Sequence, residues 1–240
     1  MKAGVRLLLK PLNDINSSKA YSLSVTPFAQ TFAELPETLA VFPLSGAVVM
    51  PGSYLPLNIF EPRYLTMVGD AMRNNQLIGM IQPSSSEKGG DQPSVLHQIG
   101  SCGRIVQYEE TLDGRLNIVL NGLCRFRMVS EISSTRGYRV AQINFTDFES
   151  DFDEQVPTHT GEYDQLKILL KNFIDKNNYD PKWKDIIDTV EARQIVSNAV
   201  SYLPFTPQDK QFLLERVSLD ELISATIAIM QTAEAGSTQH

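Results

Sequence analysis

The sequence predicts an α+β fold, a closed or partly closed sheet of short strands followed by an antiparallel helical bundle. Two observations carry this prediction. The hydrophobic period changes near residue 150, from short alternating runs to stripes at helical spacing. Ahead of that change, turn residues recur at intervals that suit strands. The segment 42–64 sharpens the picture: it is almost wholly apolar, yet carries Pro43, Pro51, Pro56 and Pro62. Proline lacks a backbone donor and is confined to strand edges, bulges and first helical turns. Buried strands punctuated at a sheet rim reconcile the two features.

Taken in order, residues 39–42 read as a buried strand and 47–50 as a second, with 55–60 and 77–81 following. Between 60 and 77, Tyr64, Leu65, Val68, Ala71 and Met72 fall on one helical face, with Pro62 in the first turn. Residues 83–93 form a polar loop. Runs at 103–111 and 115–120 flank Asp113-Gly114, which predicts a hairpin with a type I′ turn, where both central residues take positive φ. Asn121-Gly122 offers a second hairpin turn before 123–129. Residues 138–145 alternate, placing Arg139, Ala141, Ile143 and Phe145 on one face.

The acidic run of Asp147, Glu149, Asp151, Asp153 and Glu154 reads as a solvated linker. Beyond it, Leu166, Leu169, Leu170, Phe173 and Ile174 form a first helical stripe. A second helical region runs from Trp183 to Val200, bent near Glu191-Ala192, with Asp180 and Pro181 at its start. Thr206-Pro207 opens a third helix. Ser218 and Glu221 form a capping box for a fourth, which carries Leu222, Ile223, Thr226, Ile227 and Met230. Residues 1–38 lack sustained periodicity and read as an N-terminal extension, packed on the fold or disordered. The predicted division is thus 1–38, a β-rich unit at 39–150, and an acidic linker with helices at 151–240.

Composition excludes several classes. A chain of 240 residues with 42 % apolar and 20 % charged residues is an ordinary globular protein. No apolar run approaches the roughly 20 residues that cross a bilayer, and residues 7–9 are too short for a secretory core. A cytoplasmic protein is expected. The formal charge of −7 is concentrated late: residues 39–146 hold 9 basic and 8 acidic groups, residues 147–240 hold 8 and 17. Such a distribution makes a polyanion an unfavoured partner.

Motifs for chemistry are missing. Cys102 and Cys124 make no Cys-x-x-Cys pair, and His97, His159 and His240 have no shared ligand spacing. No metal or cofactor is predicted, and the cysteines read as small buried apolar groups. Neither a Walker A sequence nor Gly-x-Gly-x-x-Gly occurs, and Gly-x-Ser-x-Gly is absent. The serine run Ser84-Ser85-Ser86 lies in the polar loop without a patterned base. Glu109 and Glu110 point to opposite faces of a strand and cannot share a proton. No enzyme is expected.

Phe42-Pro43-Leu44, Val48-Val49-Met50-Pro51-Gly52 and Leu55-Pro56-Leu57 together resemble the start of the Lon protease N-terminal, substrate-binding domain. Asn58-Ile59-Phe60-Glu61-Pro62-Arg63-Tyr64 is similar to the version in small stand-alone Lon-like proteins and in the Lon-like domain of cereblon. Ile99-Gly100, Gly103-Arg104-Ile105, and the stretch from Leu112-Asp113-Gly114 to Arg125-Phe126-Arg127 resemble the family's later strands. The likeness covers roughly 39–232. It implies a PUA-like β-pseudobarrel followed by a C-terminal helical bundle. It also implies a part in engaging unfolded or damaged polypeptide, which Lon passes to an ATPase and a Ser-Lys peptidase that this sequence does not carry.

Two functions follow as expectations. The first is a non-catalytic polypeptide-binding module for unfolded or exposed apolar segments, serving as an adaptor to a protease or chaperone. Peptide would add to a free strand edge or lie between barrel and bundle. Leu57, Ile59, Phe60, Arg63, Tyr64 and Met67 are the candidate peptide-binding residues. Glu61 and Arg63 read first as an ion pair or cap at the helix start, and second as a place where Arg63 holds a bound peptide's carbonyl or carboxylate. The alternative is RNA binding, with Arg104, Arg115, Arg125, Arg127, Arg136 and Arg139 converging on one face.

Overall fold

The computed structural model describes residues 5–7, 30–84 and 95–237. Most of the predicted polar loop and positions 1–4 and 8–29 of the predicted extension lie outside the described residues. Among those described, seven strands form one sheet: β1 Val5–Leu7, β2 Thr38–Pro43, β3 Tyr54–Ile59, β4 Leu77–Ile81, β5 Ile99–Glu110, β6 Leu116–Ile132 and β7 Arg139–Asn144. The order is β1-β3-β6-β5-β4-β2-β7, and β7 returns to pair with β6. Five strands therefore close a ring, with β1 and β3 as a flap on its side. All pairs are antiparallel except β2 with β4.

One strand makes the closure possible. The first part of β6 pairs with β3, from Leu116 opposite Ile59 to Asn121 opposite Tyr54. Its second part pairs with β7, from Arg127 opposite Asn144 onward, while β5 runs along the other edge. A hairpin turn at Asn121-Gly122 is therefore contradicted: β6 passes straight through, and neither residue takes a positive φ. The physical reason is a neighbouring backbone. Gly52 N–H donates to the Gly122 carbonyl and Gly122 N–H to the Ser53 carbonyl, both at 2.9 Å. A Cβ on Gly122 would stand 2.1 Å from the Met50 carbonyl oxygen. The glycine serves close approach, not reversal.

The predicted strand at 47–50 is absent as well. Ala47, Val48, Val49 and Met50 are buried, at 1 % exposure or less, but they run irregularly into the Pro51-Gly52 turn. Burial supplied the apolar run, and no ladder was needed. At the β5–β6 connection the hairpin forms, but the turn is not type I′. Only Gly114 takes a positive φ, +76°, with its N–H donating to the Thr111 carbonyl. This is the type I turn with a left-handed glycine that three-residue hairpin loops use.

Helix α1, Pro62–Arg73, buries Tyr64, Met67, Val68 and Ala71 in a cluster shared with Phe42 of β2, Ile78 of β4 and Leu57 of β3. The C-terminal half holds α2 Thr160–Lys176, α3 Lys182–Thr189, α4 Ala192–Tyr202, α5 Pro207–Leu214 and α6 Leu219–Ser237. The predicted second helical region is two helices, α3 and α4, parted where Val190 turns extended. The capping box before α6 forms: Glu221 N–H donates to Ser218 Oγ at 3.2 Å. A second box, Thr206 with Asp209, starts α5.

The hydrophobic interior does not stop where the strands do. Cys124, Phe126 and Ile143 of the ring share one cluster with Leu166, Val196, Leu213 and Leu222 of the helices. Both cysteines are free and wholly buried, and burial raises their thiol pKa values.

The acidic run is solvated at Asp147, Glu149, Asp153 and Glu154, which are exposed, but not at Asp151. Residues Thr146–Phe152 form a short 3₁₀ segment with Phe148 and Asp151 buried. Asp151 accepts from Arg125 of β6 at Nη2 (2.7 Å) and Nε (3.0 Å), and from Arg193 of α4 at Nη2 (2.5 Å). Arg125 also donates to the carbonyls of Leu214, Arg216 and Val217, where α5 ends. The acidic character predicted exposure, but one carboxylate between two guanidiniums is paired well enough to be buried.

Candidate functional site

Two places could hold a polypeptide, the junction between ring and helices and the open edges of the sheet. The junction is largely cemented. Besides Arg125 and Asp151, Ser53 Oγ meets Ser201 Oγ at 2.8 Å and Gln194 Nε2 donates to the Gly52 carbonyl at 2.7 Å. Gln211 Nε2 donates to the Ile99 carbonyl at 3.1 Å. What remains open there is a polar cleft of about 550 Å³ beside Gln98, Arg127, Asp147, Glu215 and Arg216.

The sheet edge offers more. Strand β5 is held on both sides only through Arg104, the last residue that pairs with β4. Ile105 N–H still donates to the Gln76 carbonyl, at 2.8 Å. Among the described residues, 106–110 then continue with β6 alone, past a bulge between Ile105 and Gln107. A bulge of this kind re-aims an edge strand. Thr111 N–H donates to the Arg115 carbonyl across the hairpin, so Thr111 faces β6. Alternation makes Glu109 and Gln107 face β6 too, and turns the amides and carbonyls of Tyr108 and Glu110 outward. Val106, Tyr108 and Leu112 expose apolar side chains along this arm, at 50 %, 45 % and full exposure.

Across β6 from this arm, the far edge of β3 is closed. There β1 pairs with β3, Leu7 opposite Leu57 and Val5 opposite Ile59. Further along, Tyr202 Oη both accepts from Tyr54 N–H, at 3.2 Å, and donates to the Tyr54 carbonyl. By the same alternation Pro56 faces this side, so its missing donor costs no ladder bond to β6. That is the edge role predicted for Pro56.

The predicted peptide-binding residues divide sharply. Leu57, Ile59 and Met67 have no exposed surface, and Tyr64 is 7 % exposed with its ring 4.2 Å from that of Phe42. Their alternation and helical spacing were those of a core face, and the interior took them. They cannot present side chains to a peptide. Phe60 stays at the surface beside the hairpin, with the Arg115 guanidinium 5.3 Å from its ring centroid. Arg63 is exposed and bonds Glu61 at 2.6 Å, the ion pair read first for that position. Residues 106–110 were missed because an open edge is a property of the neighbouring strand's length. The available signal was the appearance of Gln107, Glu109 and Glu110 after Ile105.

Each of the six arginines considered for RNA is engaged by a partner within the chain. Arg125 is buried on Asp151, Arg127 pairs with Asp147, Arg136 with Asp70, Arg139 with Glu131 and Arg115 with Asp113. Arg104 donates to Gln76 Oε1. No group of three or more His, Cys, Asp or Glu side chains suited to a metal ion occurs among the described residues, and none of their helices is long and apolar enough to cross a membrane.

A five-strand ring closed by one doubly paired strand, with helices sharing its core and a β-flap at its side, is a β-pseudobarrel module. The chain belongs to the ATP-dependent protease La (LON) substrate-binding domain family, whose model matches residues 38–232. The Lon protease of Flavobacterium johnsoniae is 27 % identical over 199 residues, covering 82 % of this chain and 24 % of that one. This chain thus spans about a quarter of the length of such curated relatives. Among solved structures, the N-terminal domain of a Mycobacterium avium complex Lon protease superposes with a TM-score of 0.61 at 15 % identity, covering 81 % of this chain and 98 % of that one. A Lon N-terminal domain protein from Xanthomonas campestris gives 0.57 at 25 % identity, with 80 % and 97 % covered.

Proposed function

We propose that this chain is a non-catalytic polypeptide-binding module that holds unfolded or exposed apolar segments, as an adaptor or chaperone-like factor that hands them to a protease or chaperone in the cytoplasm. In this reading residues 39–150 form the unit that receives the client and 151–240 the helical unit that braces it, with 1–38 an extension whose residues 5–7 add one strand. One observation carries the proposal: a substrate-binding family fold with an outward-facing strand edge at Tyr108 and Glu110 that no other described strand pairs. An extended chain gains main-chain hydrogen bonds on such an edge whatever its sequence, and exposed side chains add weak selectivity. Phe60, Leu112 and Tyr108 supply apolar contact beside it, and Arg63 is retained as a contact for a client carbonyl. The test is photo-crosslinking from position 108 against one model protein, folded and denatured. Preferential capture of the denatured form is expected, and equal capture of both forms overturns the proposal.

A further inference from the structure

We infer that the open β5 edge selects extended segments in which basic residues stand beside an apolar one. This inference rests on the polypeptide-binding reading and specifies its client. Tyr108 and Glu110 lie on one face of β5, opposite Ile118 and Leu116 of β6, and Glu109 lies on the other. Both glutamates are exposed, and among the described residues no ion pair engages either carboxylate. Two arginines close to them in sequence are committed elsewhere: Arg115 to Asp113 and the Phe60 ring, Arg104 to Gln76.

A strand added antiparallel to β5 brings its side chains within reach of those on the same face. The residue facing Tyr108 meets a half-exposed ring, where an aromatic or β-branched side chain packs best. The residues facing Glu109 and Glu110 meet a carboxylate on each surface of the sheet, where lysine or arginine is favoured and aspartate or glutamate is repelled. The charge also argues against a second copy of this chain as occupant. Pairing two β5 edges would bring four uncompensated carboxylates together in a protein already at −7. Edge charges of this sort are a common guard against self-pairing, and here they also set the sign of what may add.

The experiment uses the full chain and two short labelled peptides with the same alternating valine–threonine centre, one flanked by lysines and the other by glutamates. Fluorescence anisotropy should show the lysine peptide bound about fivefold or more tightly, as two cross-strand charge pairs would give. That ratio should close as sodium chloride rises from about 0.05 to 0.5 M. In the double variant Glu109→Lys, Glu110→Lys, whose fold is checked by circular dichroism, the preference should reverse. Equal binding of the two peptides, or an unreversed preference in the variant, overturns this inference and leaves the general reading standing if denatured protein is still captured. Self-association through β5, seen as a dimer by ultracentrifugation that Tyr108→Pro abolishes, overturns it in favour of a second copy. Failure to capture either peptide or any denatured protein removes both proposals.

Discussion

Arg125 of β6 and Asp151 of the 3₁₀ segment meet at three points, 2.7, 2.9 and 3.0 Å, with 3 % and 0 % of their side chains exposed. The same carboxylate accepts from Arg193 of α4. Ring, connecting segment and helices are thus joined through one charged side chain, packed beside the shared apolar core.

Asp151→Ala is expected to destabilise the protein by roughly 3–5 kcal/mol, because it leaves two guanidiniums in low-dielectric surroundings without a counter-charge. Urea denaturation at neutral pH measures this. A loss below about 1 kcal/mol would mean that solvent already screens the site.

Lys210 on α5 is 5 % exposed, with its Nζ donating to the Ser201 carbonyl at 2.9 Å. Burial lowers its pKa to about 8, from about 10.5 in the unfolded chain. Below pH 8 both states hold the proton and the burial cost is present in full. Between 8 and 10.5 the unfolded chain binds more protons than the native one, so the cost is relieved as pH rises. Lys210→Met has no such cost. Its stability advantage over the parent should shrink by about 2 kcal/mol between pH 8 and 9.5. A difference constant across that window would show that Lys210 titrates normally.

Gly122→Ala and Gly114→Ala should behave differently although both follow a turn-forming residue. The first places a Cβ 2.1 Å from the Met50 carbonyl oxygen and should cost more than about 2 kcal/mol. The second meets nothing within 4 Å and pays only for a left-handed φ of +76°, about 1 kcal/mol. Thermal melts of the two variants should preserve that order.

Tyr108→Pro removes an amide that points away from β6, so the ladder to β6 survives while the outward donor is lost. Capture of denatured protein should fall at least about tenfold with little change in Tm, because the main-chain bonds of an added strand lose their anchor. Unchanged capture would place the client elsewhere, with the polar cleft beside Arg127 and Glu215 next to be probed.

Local sequence determined much of this protein. Alternation at 138–145, helical spacing at Tyr64, Val68 and Ala71, the Ser218–Glu221 box and the family motifs from Phe42 to Arg127 each report interactions within a few residues of chain, where periodicity and capping act. Tertiary structure alone decided what depended on a distant neighbour. Gly122 stayed in a strand because the Met50 backbone lies against it. Asp151 left solvent because Arg125 and Arg193 arrive from two other elements. Leu57, Ile59 and Met67 went inward because they share one buried cluster with Phe42 and Ile78 from two other strands. The edge at Tyr108 is open because β4 ends its pairing at Arg104. Backbone packing, burial of charge and strand pairing are sums over residues far apart in the chain, and a local pattern carries no record of them.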